Sequence, residues 1–588
     1  MTAPDIEDLG ESARTVVRER YLKQDETGAV DETPAECIDR VATDVASVEV
    51  EFGSDPDPVA ASFRDAMADR DFLPNSPTLM NAGTELEQLA ACFVLPVEDS
   101  IESIFDALRE TALIHQSGGG TGFSFSKLRP AGDVVKSTGG VASGPVSFMR
   151  IFDAATEEIK QGGRRRGANM GVLAADHPDV EDFVAAKQDA DALRNFNLSV
   201  ATDAAFWEAL AAGDEYDLVN PRTDEVVDSV DPEALLERIA SVAWETGDPG
   251  LLFLDRIAAD NPTPDLGEIR ATNPCGEVPL LPHEACVLGS INLAHMTTVD
   301  PTAGRTDGEV DWDRLGETVA LGVRFLDDAI TASAFPVPAI TERMGGNRKI
   351  GLGVMGFHDM LVDLGVPYDS ERALEVAEEV MGFVAQRARE VSRDLATERG
   401  PFPNYPESTL PEPQRNATLT SIAPTGTISM VAEVSASIEP IYNVAYTKHV
   451  LGGLPVVNSR FAAIGERRDF LDDDLLETVW DRSTVRDVER IPADVRRLFP
   501  TAHDVSPDHH VAMQAAFQDH VDNAVSKTVN LPPDASKVAV RRVFERARDL
   551  GVKGITVFRS GARPEQVLGK DPLKEECITE CEFVGPSG

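Results

Sequence analysis

Between residues 70 and 565, short apolar runs of strand type alternate with long amphipathic segments, and no shift in composition marks a linker. That alternation predicts an α/β fold built as one large domain. LAACFVLPV (89–97) reads as a strand, and 551–561 as a strand and turn. Helical spacing covers 101–116, 312–333, 370–399 and 511–526, and helical patterns also dominate 200–260. The Pro-, Gly- and Asn-rich stretch 271–296 reads as a loop between apolar segments, and 418–440 as turns mixed with strand-like pieces. Ahead of this domain, Ala13–Leu22 and Ala35–Val48 suggest a small helical region. The expected organisation is a helical region over 1–70, the α/β domain over 71–565, and a polar tail over 566–588.

Charge narrows the function classes. Acids number 101 and bases 54, a net charge of −47, and only 12 of the bases are lysine. Such a surface repels nucleic-acid phosphates and anionic membranes, so neither is an expected partner. It also repels itself, until salt near 1 M shortens the Debye length to about 3 Å. Adaptation to a salty cytoplasm is therefore expected. MTAPDIEDLGESAR has neither a basic stretch nor an apolar one, so no signal peptide is visible. No run approaches the ~18 apolar residues of a membrane helix. A soluble cytoplasmic protein is expected, whose thiols stay reduced unless chemistry uses them.

The chain holds six cysteines: Cys37, Cys92, Cys275, Cys286, Cys577 and Cys581. Cys37 fits an inert helix position. Cys275 lies in Asn273-Pro274-Cys275-Gly276-Glu277. If this loop is extended, residues two apart face the same way, and one face presents carboxamide, thiol and carboxylate. The carboxylate would keep the thiol protonated, which suits hydrogen-atom chemistry better than nucleophilic attack. Cys92 and Cys286 lie in apolar settings. Each is either inert or part of a dithiol that yields two electrons on closing to a disulfide. Cys577 and Cys581 are either half of a zinc site or a mobile dithiol arm; the second reading is preferred, because no further ligand pair is near.

Two glycine-rich loops, Ser117–Gly122 and Ala423-Pro424-Thr425-Gly426-Thr427, offer hydroxyls and backbone N–H groups of the kind that cradle phosphates. Gly351–Gly356 matches G-x-G-x-x-G but lacks the preceding hydrophobic strand, so it reads as strand-and-turn packing. Asp508-x-His510 starts like a cobalamin motif, but Met513 stands where glycine is needed, so no cobalt ligand is assigned. No protein-bound metal site is expected.

NPCGE, the Cys92/Cys286 pair, APTGTIS and the tail dithiol together resemble ribonucleotide reductase, and more closely its adenosylcobalamin-dependent class II. RYLKQDETG, FLPNSPTLMNAG, SGGGTGFSFSKLRP, KIGLGVMGFHDML and DNAVSKTVNLP extend the resemblance over nearly the whole chain. It implies a ten-stranded α/β barrel with a central finger loop. It implies that Cys275 is the thiyl radical, Glu277 the base for the 3′-hydroxyl, and Asn273 that base's partner. Cys92 and Cys286 would reduce the 2′ position, and Cys577 and Cys581 would reopen their disulfide. Ser76, Ala91, Gly120, Pro274, Gly276 and Ala423–Thr427 match substrate positions. Asp99, Ser100, Ile101, Arg129 and Lys136 match effector positions in a segment near 99–170.

The resemblance further implies a ribonucleotide substrate (a diphosphate by preference), a deoxynucleotide effector, a thioredoxin-like reductant and a homodimer. Class I relatives relay a radical from a small subunit through adjacent tyrosines, but the matching segment here reads Gly554-Ile-Thr556-Val557-Phe558-Arg559. The final Phe583-Val-Gly-Pro-Ser-Gly lacks the Arg and Tyr of the glycyl-radical class. Adenosylcobalamin is then the expected radical source, with no radical-generating subunit. The chain starts close to the catalytic lead-in, so the ATP cone of many relatives is expected to be absent. Two other readings compete: a nicotinamide-dependent oxidoreductase using Gly351–Gly356, and a zinc-binding, nucleotide-sensing regulatory module.

Overall fold

A computed structural model describes residues 9–135, 140–161, 165–189, 191–448, 454–480, 482, 484–562 and 568–569. Lys136, Cys577 and Cys581 lie outside the described residues.

The helical lead-in is short. A six-residue helix, Glu11–Val16, runs into a π-helical turn over Val17–Tyr21. Helix α1 (Pro34–Ala46) starts at a capping box, in which Thr33 accepts from the Glu36 N–H and Glu36 reaches back to the Thr33 N–H. It packs on α2 (Pro56–Ala68) through Val41, Val45, Phe63 and Met67, all buried.

Ten strands form the main sheet: β1 (Phe72–Pro74), β2 (Cys92–Val94), β3 (Gly120–Ser124), β4 (Asn169–Ala174), β5 (Phe196–Thr202), β6 (Gly250–Phe253), β7 (Ala285–Asn292), β8 (Ile350–Met355), β9 (Thr528–Leu531) and β10 (Gly554–Arg559). Strands β2 to β6 run parallel in chain order. Two antiparallel seams join this half to the other, β2 against β7 and β6 against β10. In the second half β7 pairs parallel with β8, and β9 with β10. The segment 418–422 spans the remaining gap. The Leu352 N–H donates to the Leu419 carbonyl at 2.8 Å, and the Ile422 N–H to the Ala524 carbonyl at 3.1 Å, just before β9. The sheet thus closes into the expected α/β barrel.

Helices cover the barrel: α3 (Ile101–Gln116), α4 (Pro232–Thr246), α5 (Trp312–Ala332), α6 (Glu371–Arg399) and α7 (Pro507–Gln518) fall in segments where the amphipathic period predicted helix, and α8 (Lys537–Asp549) is one the sequence reading did not name. Three local expectations need correction. Within 271–296 the loop is confined to the finger and the turn after it, and residues 285–292 form β7, which is fully buried; a strand covered on both faces loses the polar alternation that would reveal it. The 200–260 stretch includes a β-hairpin, Tyr216–Asn220 with Glu225–Val230. The helix read at 511–526 begins earlier and ends earlier, because Ser506 accepts from the His509 N–H at its start, and residues 521–526 leave the helix to meet the 418–422 segment.

Candidate functional site

The NPCGE motif forms the tip of a tight hairpin inside the barrel. Ala271 and Thr272 pair with Leu280 and Pro279 at its base. The Gly276 N–H donates to the Asn273 carbonyl at 3.1 Å, and Gly276 has φ +83°, a left-handed conformation that favours glycine. The barrel wall holds this finger closely. At Gly122 on β3, an added Cβ would sit 1.8 Å from the Thr272 carbonyl oxygen, so only glycine lets the finger cross there. Gly120 lies behind Pro274, with 3.0 Å from its ideal Cβ to the proline Cγ. Asn197 donates to the Pro274 carbonyl at 2.9 Å, and Ser421 Oγ and the Ala524 N–H each reach the Glu277 carbonyl at 2.9 Å.

The turn corrects the extended-loop geometry. Asn273 is fully buried and points back: its Oδ1 accepts from the Val278 N–H at 3.0 Å, and its Nδ2 donates to Cys92 Sγ at 3.1 Å. Cys275 and Glu277 instead line a cavity of roughly 210 Å³ at the barrel's centre, where Glu277 is 1% exposed. A Cβ at Gly276 would meet nothing within 4 Å, so the space beside Cys275 is open.

Cys92 lines the same cavity, and Cys286 is its register partner across the β2–β7 seam. Cys92, Cys275 and Cys286 are in the reduced, thiol state. Burial pushes the Cys286 thiol well above its ordinary range, and the neighbouring Cys92 and the Glu277 carboxylate push the same way. Cys37 stands apart in the helical region, where burial raises its thiol to about 12. The structure therefore brings residues 92, 275 and 286 together and leaves 37 out.

Ser76, Ala91, Pro274, Gly276 and Ala423–Thr427 also line the cavity. Thr425 has φ +55°, an uncommon conformation for a β-branched residue, and its hydroxyl accepts from the Ser437 N–H at 2.7 Å. Gly120 supports the finger rather than forming the wall. The effector candidates gather elsewhere. Asp99 and Arg129 form an ion pair at 2.7 Å, Ser100 caps α3, and Ile101 is 63% exposed beside them.

The Gly351–Gly356 run is strand and turn, as its residues suggested. All six residues of β8 are buried; a Cβ at Gly353 would lie 2.2 Å from the Ser421 carbonyl oxygen, and one at Gly351 3.1 Å from Cys286 Sγ. These glycines admit the 418–422 segment and the thiol, which leaves no phosphate turn for a nicotinamide cofactor. His510 is buried with Nε2 at 3.0 Å from the Ala502 carbonyl, while Asp508 pairs with Arg542 at the surface.

Sequence reasoning missed several wall residues. Arg20, Asn197, Asp248 and Lys527 all line the cavity. Lys527 is held by the Glu439 carboxylate and by His510 Nδ1 at 3.1 Å. RYLKQDETG carried the family resemblance, but nothing in its spacing assigned Arg20 a task.

Comparison with known proteins agrees with this architecture. The family described as "Ribonucleotide reductase, barrel domain" matches residues 90–414 and 410–558, and the "Ribonucleotide reductase, all-alpha domain" family matches 7–87. The chain is 49% identical over 581 residues to a vitamin B12-dependent ribonucleoside-diphosphate reductase of Mycobacterium tuberculosis, covering 97% of this chain and 83% of that one. It is 48% identical over 571 residues to a protein of the same description from Thermoplasma acidophilum, covering 95% and 72%. The solved class Id ribonucleotide reductase alpha subunit of Actinobacillus ureae shares the fold, with TM-score 0.78 at 23% identity over 95% of this chain and 98% of that one.

Proposed function

The chain belongs to the ribonucleotide reductase family, and from that premise we propose that it converts ribonucleoside diphosphates to 2′-deoxyribonucleotides with adenosylcobalamin, for DNA precursor synthesis. The observation that carries this reading is the meeting of Cys92, Cys275 and Cys286 at one finger loop, 183 residues after the first of them.

Each thiol has its own work. Cys275, as a thiyl, takes the hydrogen atom from C3′ of the substrate and returns it at the end. Glu277 accepts the 3′-hydroxyl proton as a general base. With C3′ a radical and its oxygen deprotonated, the 2′-hydroxyl takes a proton from the Cys92–Cys286 dithiol and leaves as water. Cys92 and Cys286 supply two electrons and close as a disulfide, so that nucleotide plus dithiol become deoxynucleotide, disulfide and water. Burial keeps Cys286 protonated until that step. Asn273 fixes Cys92 by its 3.1 Å hydrogen bond. The enclosing wall keeps the radical from bulk water.

The cavity fits a cofactor that acts on Cys275 directly. The thiol sits on the wall with open space beside it, and β10 brings Gly554, Ile555, Thr556 and Phe558 to the same cavity without a phenol among them. Adenosylcobalamin, when bound, supplies the one-electron chemistry that removes the hydrogen atom from the Cys275 thiol. Gly247, Gly554 and Phe558 are the wall residues that would hold its reactive end.

The remaining readings belong to the same proposal. Cys577 and Cys581 form an arm, within a tail over 566–588, that reopens the Cys92–Cys286 disulfide and is itself recharged by a thioredoxin-like protein. Asp99, Ser100, Ile101, Arg129 and Lys136 bind a deoxynucleotide effector at a homodimer contact. The helical region over 1–70 and the barrel domain over 71–565 act as one catalytic unit, in a salty cytoplasm and with no radical-generating subunit. No helix among the described residues is long and apolar enough to cross a membrane. The test is an incubation of each ribonucleoside diphosphate with adenosylcobalamin and a small dithiol: deoxy product is expected, and none would form with Cys275→Ser.

A further inference from the structure

A buried charge pair lies next to the dithiol. Glu284 and Lys349 meet at 2.7 Å, and they are 0% and 1% exposed. Glu284 stands just before β7. Lys349 stands just before β8, whose first residue, Ile350, pairs with Val287, the neighbour of Cys286. The carboxylate is fully engaged: Oε2 also accepts from the Leu281 N–H at 2.7 Å, and Oε1 accepts from Asn347 Nδ2 at 2.5 Å. The ammonium is not. It has three donors, and Glu284 is the one acceptor it meets among the described residues. Taking both charges out of water is costly, so such a pair is weak evidence of stability and points to another purpose.

We propose that the Cys92–Cys286 disulfide reopens in one direction: a reductant's thiolate attacks Cys92, Cys286 departs as thiolate, and Lys349 is the positioning residue whose ammonium receives that charge. This rests on the nucleotide-reducing reading above. Access sets the direction. Cys92 lines the cavity, whereas Cys286 is fully enclosed behind it, with the ideal Cβ of Gly351 only 3.1 Å from its Sγ. A thiolate that enters through the cavity therefore meets Cys92. The electron pair of the S–S bond passes to Cys286 Sγ, and the reductant stays bonded to Cys92. The reductant's second thiolate then attacks its own first sulfur and frees Cys92. Each cysteine takes back a proton that the reductant's thiols had released to water, so dithiol and protein disulfide become cyclic disulfide and protein dithiol. Electrostatics sets the need for a cation. The titratable groups around Cys286 are Cys92 on β2, Glu277 on the finger, Glu284 and Lys349. Burial, Cys92, Glu277 and Glu284 all disfavour a thiolate there; Lys349 opposes them and acts more strongly than Glu284. A thiol of high pKa leaves slowly, so the enclosed sulfur depends on that ammonium.

The test needs no turnover. Full-length protein carrying Cys275→Ser, Cys577→Ser and Cys581→Ser is oxidised with diamide, which closes the Cys92–Cys286 pair. It is then mixed with 2-mercaptoethanol, quenched in acid and digested in acid for peptide mass spectrometry. The mixed disulfide should sit on Cys92, with Cys286 as free thiol; an adduct on Cys286 would overturn the direction. The role of Lys349 is read in the same background. Lys349→Met should raise the pH at which Cys286 of the reduced protein becomes alkylated by about one to three units, the effect of losing a nearby opposite charge. With a Brønsted slope near one half, opening of the disulfide by dithiothreitol should slow about three- to thirty-fold. Lys349→Arg keeps the charge and should keep most of the rate. If Lys349→Met fails to fold, Glu284→Gln with Lys349→Met removes both charges together and leaves none unpaired; because Lys349 outweighs Glu284 at Cys286, it should slow opening in the same direction. A purely structural pair would leave the alkylation profile of folded variants where it was, and that result, or an unchanged opening rate, would overturn the assignment to Lys349. Failure of the wider reading looks different: the parent protein would make no deoxy product, whichever sulfur the thiol attacks.

Discussion

Cys92 and Cys286 face each other as register partners across the antiparallel seam where the two halves of the barrel meet, and both are in the reduced, thiol state. Their environments differ. Cys92 lines the cavity, whereas Cys286 is fully enclosed behind it with its thiol raised by burial, by Cys92 and by Glu277. Alkylation requires thiolate and access. At pH 7 to 8, iodoacetamide should therefore label Cys275, which is half-buried at the cavity, well before Cys286. A raised thiol pKa means that Cys286 labelling should climb only as pH rises past the ordinary thiol range. Peptide mass spectrometry of the native protein reads both rates, and equal labelling at pH 7 would contradict the burial argument.

The same pair depends on a glycine. A methyl at Gly351 would lie 2.4 Å from Leu288 Cδ2, 2.9 Å from Ser421 Cβ and 3.1 Å from Cys286 Sγ. Gly351→Ala should cost about 1–3 kcal/mol through overpacking and slow disulfide closure. Gly345→Ala is the control: its Cβ meets nothing within 4 Å on a helix, where alanine is favoured by about 0.5–1 kcal/mol. Thermal unfolding of the two variants should shift in opposite directions.

Much of this arrangement is legible in the chain itself, for physical reasons. Helices α3, α5 and α6 face solvent on one side, so their apolar period matched residues 101–116, 312–333 and 370–399 to within a residue at either end. β7 escaped because it is buried on both faces and carries Gly289, Ser290 and Asn292 among its apolar residues. The finger was legible as chemistry, since Asn273, Cys275 and Glu277 are rare company, but not as geometry. Gly276 closes a turn, and Asn273 serves Cys92 instead of sharing a face with Cys275. Arg20 was beyond reach, because its contact with Thr427 spans 407 residues and no local pattern encodes such a partner.

The tail arm predicts a split between reductants. Cys577→Ser together with Cys581→Ser should stop multiple turnover with a thioredoxin-like protein, yet leave turnover supported by a small dithiol that reaches the cavity. Product formed per enzyme with each reductant is the measurement, and normal turnover of the double variant with the protein reductant would remove the arm from the mechanism.

Salt should activate rather than inhibit. Many ion pairs here join exposed groups, such as Arg18 with Glu19 and Arg305 with Asp307, and screening such pairs costs little. Screening a net charge of −47 relieves repulsion over the whole surface. Activity and unfolding temperature should both rise from dilute buffer towards about 1 M salt, where the Debye length is about 3 Å. A maximum in dilute buffer would contradict the reading.

The central claim is that one thiol on the finger loop, Cys275, starts the reaction without a second subunit. The most direct measurement is deoxynucleotide formation from a ribonucleoside diphosphate by the isolated chain, with adenosylcobalamin and a small dithiol, alongside Cys275→Ser. We predict deoxy product from the parent protein and none from a variant that folds and binds nucleotide normally; product from Cys275→Ser, or a parent protein that works only with an added radical-generating subunit, would contradict the account.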